Sequence, residues 1–430
     1  METYIYINLL IAFAVSIGFL VITRGSVGYI QFLAIYFIYS HVLRGFGIIL
    51  NGGSVLYNRY FSWDAYLDGL NLNLLYQTAL YVGYLVGFGL KEDSAVKRID
   101  KRPISGLNSL DKFLAVLAVI ILVIMFSVGG LSLLAPFRDV SISVLFPQLR
   151  PIYPIAMILG AILAGRGILL IGVNSHYLAG CAIFLIGIST SVVTNQRGLL
   201  VIFIFTAIGF LVRIGKHIIA FTAFGAAFSL AMTVRSFIFL VLGEKNEKSV
   251  SVGPVNYLAA LPYSPDGDSS EVWMVVSKYV DQNGLLMGKS IIMSWASLFS
   301  SEYRYSSGYR TGADVLNSFH DPTTYWNLKF GFNVSTAHEL FFNFGYTSII
   351  FYFIFAWLIG VCFRRYYNLL ADGADPIYSS LFVFAVATYL MAISGLMWFL
   401  LYFIIHLGFQ WFSRHFLIQN KFQTSGINHK

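Results

Sequence analysis

Residues 112 to 129 read KFLAVLAVIILVIMFSVG, and from Phe113 to Phe126 no position carries a charged or polar side chain. A helix needs roughly 20 such residues to cross the hydrocarbon of a bilayer. In lipid a run of this kind must close its own backbone hydrogen bonds, which makes helix the expected state. Comparable runs lie at about 5 to 23, 27 to 49, 69 to 89, 151 to 165, 168 to 193, 198 to 212, 217 to 240, 336 to 361, 377 to 394 and 396 to 412. The expectation is therefore an all-α polytopic membrane protein with about eleven spans, within a range of roughly ten to fourteen. The chain reads as a single integral membrane domain over 1–430.

Composition agrees. Hydrophobic residues make up 57% and charged residues 11%, against roughly 25% charged in an ordinary globular chain. Mean hydropathy is +0.73. The first run has no basic start, since the chain opens Met1, Glu2, Thr3, and no small-residue cleavage site precedes Arg24; it reads as a retained span. Cys181 and Cys362 both lie in or beside apolar runs, which supports neither a disulfide framework nor a metal site. The net charge of +8 punctuates apolar runs, so membrane topology accounts for it better than nucleic acid does.

Basic residues in short links set the orientation. Lys91, Lys97, Arg98, Lys101, Arg102 and Lys112 follow the third run; Arg166, then Arg213 with Lys216, then Arg364 with Arg365 fall at alternate later turns; Lys421 and Lys430 lie in the tail. All fall on one side, the cytoplasm, if the amino terminus is outside. The opposite face then holds residues 51–68, residues 129–150 and a long polar segment, 242–335, between spans eight and nine. A connection that long is functional or disordered. Here two helical patterns argue for order: Val272, Val275, Val276, Tyr279 and Val280 share one face, and Ile291, Trp295, Leu298 and Phe299 another. Such helices lie in the membrane interface or cap the bundle.

Outside the long segment, the outer basic residues are Arg44, Arg59, Arg138, Arg150, Arg197 and Arg235, with no lysine among them. Arginine holds phosphate with a planar fork of donors. Arg197 sits in the turn Thr194, Asn195, Gln196, Arg197, Gly198, and Arg235 closes the eighth span. Each either snorkels to headgroups or binds an anion; several on one face favour an anionic ligand. The long segment adds Arg304 and Arg310, with Tyr303, Tyr305, Tyr309, Tyr325, Trp295 and Trp326, whose faces suit sugar rings or the membrane interface. His338 and Glu339 open the ninth span. Glu339 reads either as a general base or as a helix-start carboxylate favoured by the macrodipole. Gly-rich phosphate loops, His-Glu-x-x-His and a nucleophile elbow are all missing from the sequence.

Three stretches carry a family likeness: Thr194 to Gly198; Asn283, Gly284, Leu285, Leu286, Met287, Gly288, Lys289, Ser290 leading into 291–299; and Ser335, Thr336, Ala337, His338, Glu339, Leu340, Phe341, Phe342, Asn343, Phe344, Gly345, Tyr346. In order and placement they resemble the Wzy-type O-antigen and oligosaccharide repeat-unit polymerases. The proline that the family often carries after the outer-segment helix has no counterpart in 294–301. The resemblance covers roughly the second half of the chain. It implies a GT-C-like fold in the bacterial inner membrane, with an active site facing the periplasm and 242–335 as a periplasmic loop. It also implies transfer of an oligosaccharide from undecaprenyl pyrophosphate to a hydroxyl of the next lipid-linked unit. The expected site is Arg197 and Arg235 on pyrophosphate, helped by Arg304 and Arg310; Arg59, Arg138, Arg150, Tyr303 and Tyr309 lining it; and Glu339 or His338 at the acceptor. No cofactor or metal is expected. The partners expected are the lipid-linked glycan, membrane lipid and a chain-length regulator, with no nucleic acid. An O-antigen ligase and a lipid-linked glycan transporter stand as the rival readings.

Overall fold

The computed structural model describes residues 2–23, 29–50, 61–89, 107–130, 149, 152–173, 176–194, 197–223, 225, 269–296, 312–320, 334–371, 375–381 and 383. Among them there is no strand. The helices, in order, are α1 (Glu2–Ile22), α2 (Tyr29–Phe37), a π-helix (Ile38–Leu43), α3 (Arg44–Leu50), α4 (Trp63–Phe88), α5 (Ser109–Gly129), α6 (Tyr153–Val173), α7 (Tyr177–Val193), α8 (Arg197–Arg213), α9 (Ser269–Asn283), α10 (Lys289–Ala296), α11 (Gly312–His320), α12 (Thr336–Phe344) and α13 (Ser348–Ala371). The fold is all-α, and among the described residues four helical stretches are long and apolar enough to cross a membrane: Thr3–Ile22, Ser109–Gly129, Ile155–Val173 and Thr336–Leu370. Leu33–Ile49, Tyr177–Ser191 and Phe203–Arg213 are shorter apolar helices. The runs read at 217–240 and 377–394 lie mostly, and 396–412 wholly, outside the described residues.

One span division moves. Gly165, Arg166 and Gly167 read as a break between spans, but α6 runs straight through them to Val173, and α7 begins at Tyr177. The glycines serve close packing. A Cβ on Gly167 would lie 2.6 Å from Phe184 Cα, one on Gly187 would lie 2.4 Å from Ala164 N, and one on Gly180 would lie 2.9 Å from Ile171 N. As residue numbers rise on α6 they fall on α7, so the two helices form an antiparallel hairpin in backbone contact.

Arg166 is consequently not a loop charge. Its side chain is fully buried and meets two carboxylates. Nε and Nη2 donate to the two oxygens of Asp111 at 2.9 and 2.7 Å, Nη1 donates to Asp375 at 2.5 Å, and Tyr378 Oη donates to Asp111 at 2.6 Å. A buried guanidinium is tolerable only when its fork is matched in this way. Asp111 is set by a capping box with Asn108 at the start of α5. Asp375 accepts the backbone N–H groups of Ile377 and Tyr378 at the start of the next helix. The knot thus ties one helix interior to two helix starts.

The second contact of this kind joins α4 and α13. Tyr76 Oη is hydrogen-bonded to Ser348 Oγ. A Cβ on Gly83 would lie 2.6 Å from Phe353 O, one on Gly87 2.0 Å from Trp357 O, and one on Gly360 2.4 Å from Tyr84 O. Pairings that rise together mean the two helices run parallel. Lipid offers no hydrophobic drive between helices, so close approach over small residues does the work. At the far ends Arg213 stacks 5.4 Å over the Tyr367 ring, and Arg364 Nη1 lies 3.8 Å from a Cβ built on Gly89.

Replacing Gly87 by Leu is expected to cut the yield and melting temperature of detergent-purified protein sharply, because the new Cβ meets backbone. Gly18→Leu, with nothing within 4 Å of its Cβ, is expected to leave both near wild type in the same assay.

Candidate functional site

The site grows from the start of α12. Ser335 caps the helix: its Oγ accepts the His338 N–H at 3.5 Å, and its own N–H donates to His338 Nδ1 at 3.2 Å. This is a capping box with histidine in the place usually held by Glu or Gln. Because Nδ1 accepts, the ring proton of neutral His338 resides on Nε2. The imidazole stands edge-on to Trp273, centroids 4.5 Å apart.

One residue on, the Glu339 side chain is buried and points at the outer segment. Ser290, in the first turn of α10, donates from Oγ to Glu339 Oε1 at 3.1 Å. The backbone N–H of Gly312, which opens α11, adds a second hydrogen bond to the carboxylate. A Cβ there would lie 2.5 Å from Phe342 Cζ and 3.1 Å from Glu339 Oε1, so glycine lets the helix start come this close. Glu339 thus faces the positive end of α11 from within the first turn of its own helix, both favourable for a carboxylate.

Asn343, one turn after Glu339, fixes the rest. Its Nδ2 donates to Ser290 Oγ and to the Glu339 carbonyl, each at 2.7 Å, and its Oδ1 accepts the Gly288 N–H at 2.9 Å. The acceptor bond settles which way the amide faces. Ser290 Oγ therefore receives a proton from Asn343, and its own hydroxyl proton goes to Glu339. Backbone bonds from Leu286 to the Phe342 carbonyl and from Met287 to the Asn343 carbonyl, both 3.0 Å, lay the 284–288 elbow along the end of α12.

Behind this knot, α9 enters the bundle by its first half. Val272 through Val276 are all buried. Trp273 packs on Tyr76 (centroids 4.8 Å) and Phe341 (5.5 Å), while Met274 belongs with Val42, Ile48, Tyr66 and Leu70 in the cluster on α1, α3 and α4. The sequence offered an interfacial or a capping helix. This one wedges between two parts of the core and keeps only its second half, with Lys278 and Asp281, exposed.

The structure brings together two of the three quoted stretches, 283–290 and 335–346. Val193 and Phe203, which flank the third, belong to a cluster built on α5 to α8 together with Tyr81, Tyr84 and Ile359 of α4 and α13, whereas Ala337 and Leu340 belong to a second cluster with Tyr76, Trp273 and Tyr352. Arg197 opens α8, and Tyr153 Oη donates to the Thr194 carbonyl at 2.5 Å just before it. Arg59, Arg138, Arg150, Arg235, Tyr303, Arg304, Tyr309 and Arg310 lie outside the described residues, as does the side chain of Arg197. Sequence reading did not single out Ser290, Asn343 or Gly312 as site residues. It also missed a chain of polar side chains centred on buried His41 of the π-helix: Asn73 Nδ2 of α4 donates to His41 Nδ1 at 2.9 Å, His41 Nε2 to Asn8 Oδ1 of α1 at 3.0 Å, and Asn8 Nδ2 to the exposed Asn71 Oδ1 at 2.8 Å. Single polar residues within apolar helices were the available signal. Among the described residues no group of three or more His, Cys, Asp or Glu could hold a metal ion.

No family model, curated protein or solved structure matches the chain.

If His338 serves the helix start, His338→Gln, which keeps an acceptor at the third helical position, is expected to melt nearer wild type than His338→Ala. The alanine variant is expected to lose about 1 kcal/mol or more, a typical cap loss, measured by thermal unfolding in detergent.

Proposed function

We propose that the chain is a membrane glycosyltransferase that polymerises undecaprenyl-pyrophosphate-linked oligosaccharide repeat units into surface polysaccharide on the periplasmic face of a bacterial inner membrane. The observation that carries the reading is the Glu339–Ser290–Asn343 knot. Two stretches that resemble the repeat-unit polymerases, some 50 residues apart, converge on one buried carboxylate at the boundary of a membrane-crossing helix.

The chemistry follows from the groups present. The bond between the anomeric carbon of the growing glycan and the pyrophosphate oxygen breaks, and its electron pair leaves on the pyrophosphate lipid. A hydroxyl oxygen of the next lipid-linked unit bonds to that carbon and gives up its proton. Glu339 is the proposed acceptor of that proton. His338 is the weaker candidate, because Nδ1 already accepts from Ser335 and Nε2 then carries the hydrogen, leaving no free lone pair. The arginines proposed for the pyrophosphate are Arg197 and Arg235, with Arg304 and Arg310 assisting; they would offset charge as it develops on the leaving group. Arg59, Arg138, Arg150, Tyr303 and Tyr309 would line the glycan path. Glu339 is about 2% exposed, so an acceptor reaches it only when the elbow and the α11 start draw back.

The test is the surface glycan profile on a gel. Loss of the gene is expected to leave single repeat units on the lipid A core, and Arg197→Ala or Glu339→Gln should do the same with the protein still in the membrane. A bare core would point to a ligase instead, and an unchanged ladder in Glu339→Gln would remove that residue from the chemistry.

A further inference from the structure

The elbow between α9 and α10 has an unusual surface. Gly284, Met287 and Gly288 all have positive φ, at 74, 51 and 84°. Met287 is the one non-glycine residue among the described residues in that region, a strained choice that persists only where the surroundings enforce it. Here its N–H is held by the Asn343 carbonyl at 3.0 Å. The side chain so displayed is 71% exposed, and Ile292, a turn and a half later, is 67% exposed. Between them Ser290 turns inward to Glu339. An apolar side chain alone on a surface is ordinary; several placed together mark an interaction site.

These residues continue an apolar face already present. On α13, Ile350, Phe351, Ile354, Trp357 and Val361 are exposed; four of them, 350, 354, 357 and 361, repeat at helical spacing, the outward stripe of a membrane-crossing helix. Leu285, itself exposed, lies 3.6 Å from a Cβ built on Gly345, and Tyr346 beside it is exposed. Gly288 lies against Phe344, 3.7 Å from its ring by the same construction, and Phe344 packs on Phe351 with centroids 5.6 Å apart. The apolar surface therefore continues from the stripe of α13, past Tyr346 in the 345–347 turn, onto the elbow, with Thr347 and Lys289 also exposed beside it.

We infer that the elbow Leu285–Gly288 and Ile292 are seated in the acyl chains of the outer leaflet, so that the polar knot behind them borders lipid rather than water. The occupant is bilayer lipid, because the surface is continuous with a face that already meets lipid. The seat explains the strained methionine, since a left-handed turn aims its side chain outward. The inference stands on the exposed surface and does not depend on the polymerase reading.

Spin labels test it in the full-length protein in nanodiscs. With Cys181 and Cys362 replaced by Ala, single cysteines are placed at Met287, Ile292, Ile350 and Lys278, and collision with oxygen is compared with collision with a water-soluble nickel chelate. Met287→Cys and Ile292→Cys are expected to favour oxygen, as Ile350→Cys does, and Lys278→Cys to favour the chelate. Chelate access at both elbow positions equal to that at Lys278 overturns the seat. Labels shielded from both reagents overturn it too, because they place protein, a second copy or a partner, on this surface. Two elbow positions guard against the failure of either variant to fold.

Discussion

The side-chain amide of Asn343 makes three hydrogen bonds in a site with no water-exposed surface of its own. Buried amides are tolerable only when so satisfied, and removing one partner leaves the others at a cost of about 1–3 kcal/mol. That constraint links everything at this end of the molecule. The elbow cannot leave α12 without breaking the Gly288 and Ser290 bonds, and Ser290 cannot leave without uncovering Glu339. Residues 286–290 are thereby tied to the end of α12. The wedged half of α9, with Trp273 between Tyr76 and His338, holds the other side.

The rest of the bundle uses two devices of the same logic. Where helices need only approach, glycines on α4, α6, α7 and α13 bring backbones together. Where polar groups must be buried, they come in closed sets: Arg166 with Asp111, Asp375 and Tyr378, and His41 with Asn8 and Asn73. The second set is centred on His41 in a π-helix, a local form frequent at functional positions. It joins α1 to α4 at the side of the core that receives Met274.

Apolar length was legible from sequence, so α5 lies where its run placed it, whereas the run at 336–361 is broken at Gly345–Thr347 into α12 and an α13 that continues to Ala371. Helical periodicity was legible too: Val272, Val275 and Val276 are buried together. What periodicity could not show is that Trp273 and Met274, on other faces, are buried as well, because a helix enclosed on several sides has no single face. Arg166 was misread because glycine on both sides of a charge looks like a turn; its partners lie 55 and 209 residues away, and no local pattern reports them. Glu339 and His338 were legible as a pair but not as different groups. Only the Ser335 bond assigns one to the helix start, and only Ser290 and Gly312 show what the other faces. The functional proposal draws on that separation together with the likeness of the two converging stretches.

Residues 283–290 and the start of α12 form one cooperative site joined through Ser290 and Glu339. A double-mutant cycle measures this directly, with Ser290→Ala, Glu339→Ala and the pair unfolded reversibly in mixed micelles. The account predicts a coupling of roughly 0.5–3 kcal/mol, the range for residues in one hydrogen-bond network. Effects that add to within about 0.5 kcal/mol, as distant sites do, would contradict it.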